Sequence, residues 1–219
     1  MKTVFAIDTS TDVSYLALQL QSGKVIQKTS ATGQHDTELA ALTQSLFDEA
    51  EVDLNVIDEV IIGAGPGSFT GLRVGFSFAE GIATGLEKPL IALPSFLGYA
   101  KETEGARIIT IADARRAEVF FACYCNQNGE IEEIEAPIIV SINEFENKYT
   151  ELKSDYNTTV VATGEINSKI QFVRPKEIAK NLIAVTGSKI GKRYLNEEPK
   201  LLYLRKVAAK TIAEREAQK

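Results

Sequence analysis

The segment VFAIDTSTDVSYLALQLQSGKVI, residues 4–26, has a counterpart in IITIADARRAEVFFACYCNQNGEI, residues 108–131. Shifted by 105 residues, Asp8 falls on Asp113, Tyr15 on Phe120 and Ala17 on Ala122; one inserted residue later, Gly23 falls on Gly129. Each copy reads as a strand, an Asp-containing turn, a second strand, a Gly turn and a third strand. A meander that returns near the midpoint of a 219-residue chain restricts it to folds made of two related halves.

The segments after the two meanders are also alike. In the first half, HDTELAALTQSLFDEAE places Leu39, Leu42, Leu46 and Ala50 at helical spacing. DEVIIGAG then reads as a buried strand, SFTGLRVGFSFAEGIATGLE as a helix, and PLIALPS as a strand closed by Pro94. In the second half TTVVATGE mirrors the buried strand and LIAVTGSKIGKRYL predicts a following helix. The stretch CNQNGEIEEIEAPIIVSINEFENKYTEL predicts only one strand and a short helix. The order β-β-β-α-β-α-β fits the ribonuclease-H-like half that actin-like ATPases and sugar kinases use twice. The expected fold is therefore α/β, with two related subdomains, 1–101 and 102–219, parted at the polar KETEGA stretch of residues 101–106.

GAGPGSFTGLRVG, residues 63–75, carries five glycines and invites a phosphate-binding reading. A P-loop needs a Lys after its last Gly, and no Lys follows until Lys88. A dinucleotide loop needs a third Gly where Ser68 stands and an acid on the next strand, which LIAL lacks. A nucleophile elbow needs Gly where Thr70 stands. There remains a helix start capped by Ser68 or Thr70, whose N–H groups favour an anion. Gly71, Gly75, Ala79 and Ala83 fall at i, i+4, i+8 and i+12, a stripe without bulk that admits close approach. An internal seam and a subunit interface both satisfy that pattern.

Chemistry-bearing residues are few. His35 is the single histidine, and four residues on stands Leu39, so HExxH and HxxxH zinc pairs are excluded. No spacing supports a Ser-His-Asp triad. Asp8 and Asp113 each end a strand at a turn. There they either accept backbone N–H groups in Asx turns, or face phosphate and hydrated magnesium from opposite subdomains as in actin-like ATPases. Asp8, Thr9, Ser10, Gly65, Gly67, Ser68 and Asp113 are the candidate nucleotide- or anion-facing set. Cys123 and Cys125, two apart on a strand, suit neither a disulfide framework nor a zinc site and read as small core residues.

A hydrophobic fraction of 44% with 25% charged residues predicts a packed core. A net charge of −6 argues against unaided tight nucleic-acid binding. No run reaches the ~18 apolar residues of a membrane span, and Asp8 interrupts any leader-like apolar stretch. The expected location is cytoplasmic.

AIDTST at residues 6–11, GPGSFTGLR at 65–73, ADARRAEVFFA at 112–122 and YLR at 203–205 together resemble the bacterial TsaB (YeaZ) family, in order and along nearly the whole chain. The resemblance implies a non-catalytic platform of the apparatus that makes N6-threonylcarbamoyladenosine (t6A) in tRNA. It implies a heterodimer with the transferase TsaD through the first two helices, the dimerisation helices of the N-terminal subdomain. The ATPase TsaE joins the assembly, and a homodimer forms in TsaD's absence. It implies no cofactor required by this chain and no metal, with Mg-ATP acting through partner subunits or at a shared interface, and tRNA contacted mainly through the complex. The interface expected on this basis is His35, Leu39, Leu42, Leu46, Gly71, Leu72, Gly75, Phe76, Ala79 and Ala83. Ala117 stands where the family more often has Gly, a change expected to matter little. The alternative reading is an active small-molecule kinase or ATPase of the actin-like superfamily; a peptidase is disfavoured by the single histidine.

Overall fold

The computed structural model describes residues 1–30 and 35–205, the side chains of 35–37 excepted. The side chain of His35 therefore lies outside the described residues, as do residues 206–219. The first sheet contains β1 (Val4–Asp8), β2 (Tyr15–Gln19), β3 (Val25–Thr29), β4 (Glu59–Gly63) and β5 (Leu90–Leu93) in the order β3-β2-β1-β4-β5. The second contains β6 (Gly105–Arg115), β7 (Glu118–Gln127), β8 (Glu130–Ser141) and β9 (Thr158–Thr163) in the order β8-β7-β6-β9. In both, the meander is antiparallel and the next strand adds parallel to the first one. This is the same topology twice, and it makes the actin-like α/β architecture that the repeated meander predicts.

Helices cover both faces of each sheet. α1 (His35–Ala50) and α2 (Phe69–Gly85) pack on the outer face of the first sheet, and α4 (Ile142–Asp155) on the outer face of the second. Between the sheets lie α3 (Ser95–Lys101) and α5 (Ile178–Val185). Coverage on both sides explains why all five residues of β1 and of β4 are buried. Phe5 and Ile7 enter the core under α1 and α2, while Val4 and Ala6 enter the central core. Alternation on β7 does the same for Phe121 and Cys123 on one side and Ala122 and Tyr124 on the other. Burial pushes the Cys123 thiol up to about 11, in keeping with a small core residue.

Several elements depart from the sequence expectation. SFLGYAK after Pro94 is a helix, α3, with residues 95–100 all buried. The helix after β8, expected to be short, runs 14 residues, and β8 itself runs 12. The helix expected over residues 182–195 is instead α5, ending at Val185, followed by a 3-10 turn at Gly191–Arg193. Thr186 and Gly187 break the run, and the chain folds back so tightly that a Cβ on Gly191 would lie 2.0 Å from the Val185 carbonyl oxygen. The last described stretch crosses from one half to the other. The Leu202 N–H donates to the Ala64 oxygen at 2.9 Å. Arg205 donates to the Ala114 oxygen at 2.9 Å and to the Glu118 carboxylate at 2.5 Å.

Candidate functional site

Both Asp turns are Asx turns. Asp8 ends β1, and its Oδ1 accepts the Ser10 backbone N–H at 2.9 Å and the Ser10 hydroxyl at 2.6 Å. Asp113, in the matching strand β6, accepts the Arg115 N–H at 2.7 Å and pairs with the Arg115 guanidinium at 3.0 Å. Each turn is backed by a glycine at the end of the parallel neighbour. A Cβ on Gly63 would sit 1.8 Å from Asp8 Oδ2, and one on Gly164 would sit 2.8 Å from the Asp113 Cβ. The duplication thus reaches the residues that support each turn.

The two turns differ in exposure. Asp8, Thr9 and Ser10 are buried, at 0%, 0% and 2% of full exposure, whereas the Asp113 side chain retains 19%. Tyr99, on α3 between the sheets, fills the space beside Asp8. Its hydroxyl lies 3.0 Å from Ser10 Oγ and 3.3 Å from Thr163 Oγ1 at the end of β9, so one phenol joins the strand ends of both halves. Complete burial, with Asp8 close by, pushes the Tyr99 phenol well above its ordinary value. Of the nucleotide-facing set, Asp8, Thr9 and Ser10 therefore face this chain's interior instead of a cleft. Ser68 is exposed at the start of α2, where its Oγ accepts the Gly71 N–H at 3.3 Å. Gly65 is buried and Gly67 half-buried.

Four of the five glycines of residues 63–75, all but Gly65, make room for that same turn. A Cβ on Gly67 would meet the Ser10 oxygen at 2.1 Å, on Gly71 the Thr9 oxygen at 2.3 Å, and on Gly75 the Thr9 Oγ1 at 2.1 Å. Ser68 N–H donates to the Ser10 oxygen at 2.8 Å. Ala79 and Ala83 continue the stripe into the core beneath α2. The stripe is accordingly an internal seam, which corrects its assignment to a partner interface. Leu39, Leu46 and Leu72 are likewise buried within this chain, at 2%, 0% and 3%. Of the residues expected at the interface, Leu42 and Phe76 keep partial exposure.

The outward surface of the two helices is largely a different one and shares Leu39, at its floor, with the expected interface set. An open groove between α1 and α2 is lined by Leu39, Ala40, Arg73, Val74, Ser77 and Phe78. Ala40, Arg73 and Ser77 are exposed, and Val74 and Phe78 half-buried. The sequence signal for this face is the spacing of Val74 to Phe78 and Arg73 to Ser77, both i to i+4 on α2, with Val74 and Phe78 flanking the small stripe and Arg73 and Ser77 facing outward.

Among the described residues, no group of three or more His, Cys, Asp or Glu side chains would hold a metal ion. No helix among them is long and apolar enough to cross a membrane.

A family model described as TsaD, tRNA N6-adenosine threonylcarbamoyltransferase, matches residues 22–215. Curated proteins named tRNA threonylcarbamoyladenosine biosynthesis protein TsaB align as well. The Haemophilus influenzae protein is 31% identical over 124 residues, 55% of this chain and 52% of that protein. The Escherichia coli protein is 30% identical over 131 residues, 58% of this chain and 57% of that protein. The chain belongs to the TsaD family as a TsaB/YeaZ member. The match to the Bacillus subtilis TsaB protein, 31% identical, covers 60% of this chain and 59% of the relative, so the chain spans somewhat over half the length of the curated relatives it matches. A solved structure of YeaZ from Pseudomonas aeruginosa shares the fold, with a TM-score of 0.73 and 24% identity over 93% of this chain and 100% of that one.

Proposed function

We propose that this chain is a non-catalytic scaffold subunit in t6A biosynthesis, docking a TsaD-type transferase through the outward face of α1 and α2, with a TsaE-type ATPase joining the assembly. The names of the TsaB relatives support the pathway. The observation that carries the scaffold reading is the open groove of α1 and α2, in a chain whose strand-end carboxylate Asp8 is sealed from solvent. In this reading the chain requires no cofactor of its own and Mg-ATP acts through partner subunits or a shared interface. The same groove serves a homodimer when the transferase is absent, tRNA is engaged mainly through the complex, and the assembly works in the cytoplasm.

Purification of the native protein, with identification of the proteins that accompany it, tests the partnership. Nucleoside analysis of tRNA after depletion tests the pathway: t6A falls if the reading is right, and unchanged t6A overturns it. The kinase or ATPase reading requires Mg-ATP to reach Asp8 and Asp113. The burial of Asp8 and Ser10 behind Tyr99 weighs against it. Calorimetric binding of Mg-ATP by the isolated chain, abolished in Asp8→Ala, would restore it.

A further inference from the structure

At the end of α2 where the groove opens, two aromatic rings stand in solvent. Phe69 is 57% exposed and Tyr203 is 55% exposed, although apolar rings of this size ordinarily find cover. They touch, with centroids 5.8 Å apart and planes inclined at 48°. The Arg73 guanidinium lies 4.7 Å from the Phe69 centroid. Tyr203 is fixed from both sides, by the Leu202 N–H on Ala64 and by Arg205 on Ala114 and Glu118. Arg205 thereby brings the pair beside the β6–β7 turn, where Arg115 and Arg116 are exposed. Arg115 and Arg205 are ion-paired, to Asp113 and Glu118; Arg73 and Arg116 add to a local surplus of positive charge on a chain whose net charge is −6.

We infer that this aromatic and arginine rim is a contact surface for unpaired RNA. Solvent-exposed aromatic rings stack on any base through the surface left open, here more than half of each residue, and the flanking guanidinium groups meet the phosphates between bases. A duplex hides its base faces and offers the rings nothing. An acidic peptide satisfies the arginines but leaves the stacking surface unused. The two aromatic side chains are already held in place, so little ordering is needed on contact. The choice of RNA rests on the t6A reading above, and the surface adds a direct contact to a role otherwise filled through partners. The negative charge of the rest of the chain keeps the contact weak and local.

Fluorescence anisotropy of the full chain against three labelled probes tests it: an unpaired RNA of about ten nucleotides, the same sequence annealed in a duplex, and an acidic peptide of similar charge. The expected result is saturable binding of the unpaired RNA, weakened about tenfold by Phe69→Ala or Tyr203→Ala and preserved in Tyr203→Phe. Arg73→Gln is expected to weaken binding and to lower the salt slope by about 0.7. Because these side chains are exposed, the variants retain the fold, which circular dichroism verifies. Absence of RNA binding up to about 100 μM protein at low salt, equal binding of the duplex, or preference for the peptide each overturns the proposal, the last assigning the rim to a protein. These outcomes are separable from the pathway test: t6A that falls on depletion while the oligonucleotide goes unbound removes the surface and leaves the function.

Discussion

The Thr9 hydroxyl donates a 2.7 Å hydrogen bond to the backbone oxygen of Gly71, fastening the turn after β1 to the first turn of α2. A side chain anywhere on the glycine stripe would pry this contact apart. The stripe therefore stabilises the packing of this chain, and the solvent-exposed part of α2 is carried by residues such as Arg73 and Ser77.

Two glycines of the same helix should respond to alanine with opposite signs. At Gly75 the new methyl would lie 2.1 Å from Thr9 Oγ1, with the Thr9 backbone fixed in β1's turn. Overpacking of about 1–3 kcal/mol outweighs the ~1 kcal/mol that alanine adds to helix propensity, so Gly75→Ala should lower stability. At Gly81 no neighbouring atom lies within 4 Å of the added Cβ, and Gly81→Ala should raise stability by about 0.8–1 kcal/mol. Urea unfolding of both variants measures the contrast.

Docking is better probed where the side chains already meet solvent. Ala40→Glu and Ser77→Glu place carboxylates on facing walls of the α1–α2 groove without entering the core. Each should leave the unfolding midpoint unchanged while weakening assembly by about tenfold or more, the penalty of a charge buried without a partner. Size-exclusion chromatography and pull-down with the transferase read the loss; unchanged assembly in both would show that this face is idle.

Ala117 matters more than its sequence position implies. It is the third of three successive residues with positive φ, at 66°, 59° and 57° for Arg115, Arg116 and Ala117. Its carbonyl accepts the Ile142 N–H at 3.1 Å, so the turn cannot relax without loosening the start of α4. An L-residue in the left-handed region costs roughly 1–2 kcal/mol that Gly avoids. After Gly's greater unfolded-state entropy is subtracted, Ala117→Gly should stabilise by about 0.5–1 kcal/mol, measurable as a higher thermal midpoint.

Alkaline pH should destabilise the fold through Tyr15. Burial, then the nearby Asp8 charge, raises its phenol from 10.0 to about 12. The unfolded chain gives up this proton first, so the contribution is complete below pH 10 and is lost as pH rises from about 10 to about 12. The Tyr15→Phe variant should show a flatter decline over that window in pH-dependent denaturation. An identical slope in both proteins would exclude Tyr15 as its origin.

Much of this architecture is readable from residue order because both halves spell it with the same signs. Gly23 and Gly129 take φ of 86° and 80° in equivalent hairpin turns, and the apolar runs of β1 and β4 announce strands covered on two sides. α3 is not legible: residues 95–100 are buried all round, so no polar face marks a helical period. The expected helix overruns α5 because Lys189, Lys192 and Arg193 continue a plausible polar face past the break at Thr186 and Gly187. The stripe on α2 is legible as a place of close approach. Its neighbour is not, because spacing along a helix says nothing about which chain supplies Thr9. The Phe69–Tyr203 pair is invisible in the sequence for a related reason: only the return of the C-terminal stretch across Ala64 brings them together.

The phenol of Tyr99 has a mechanical consequence. Bonded at once to Ser10 and Thr163, it acts as a pin through the middle of the molecule. Any hinge motion between the halves must withdraw that hydroxyl from one side, in an interior closed to solvent, where the lost contact goes uncompensated. Separating the halves therefore costs at least one of these two contacts, and Tyr99 couples the strand ends it touches.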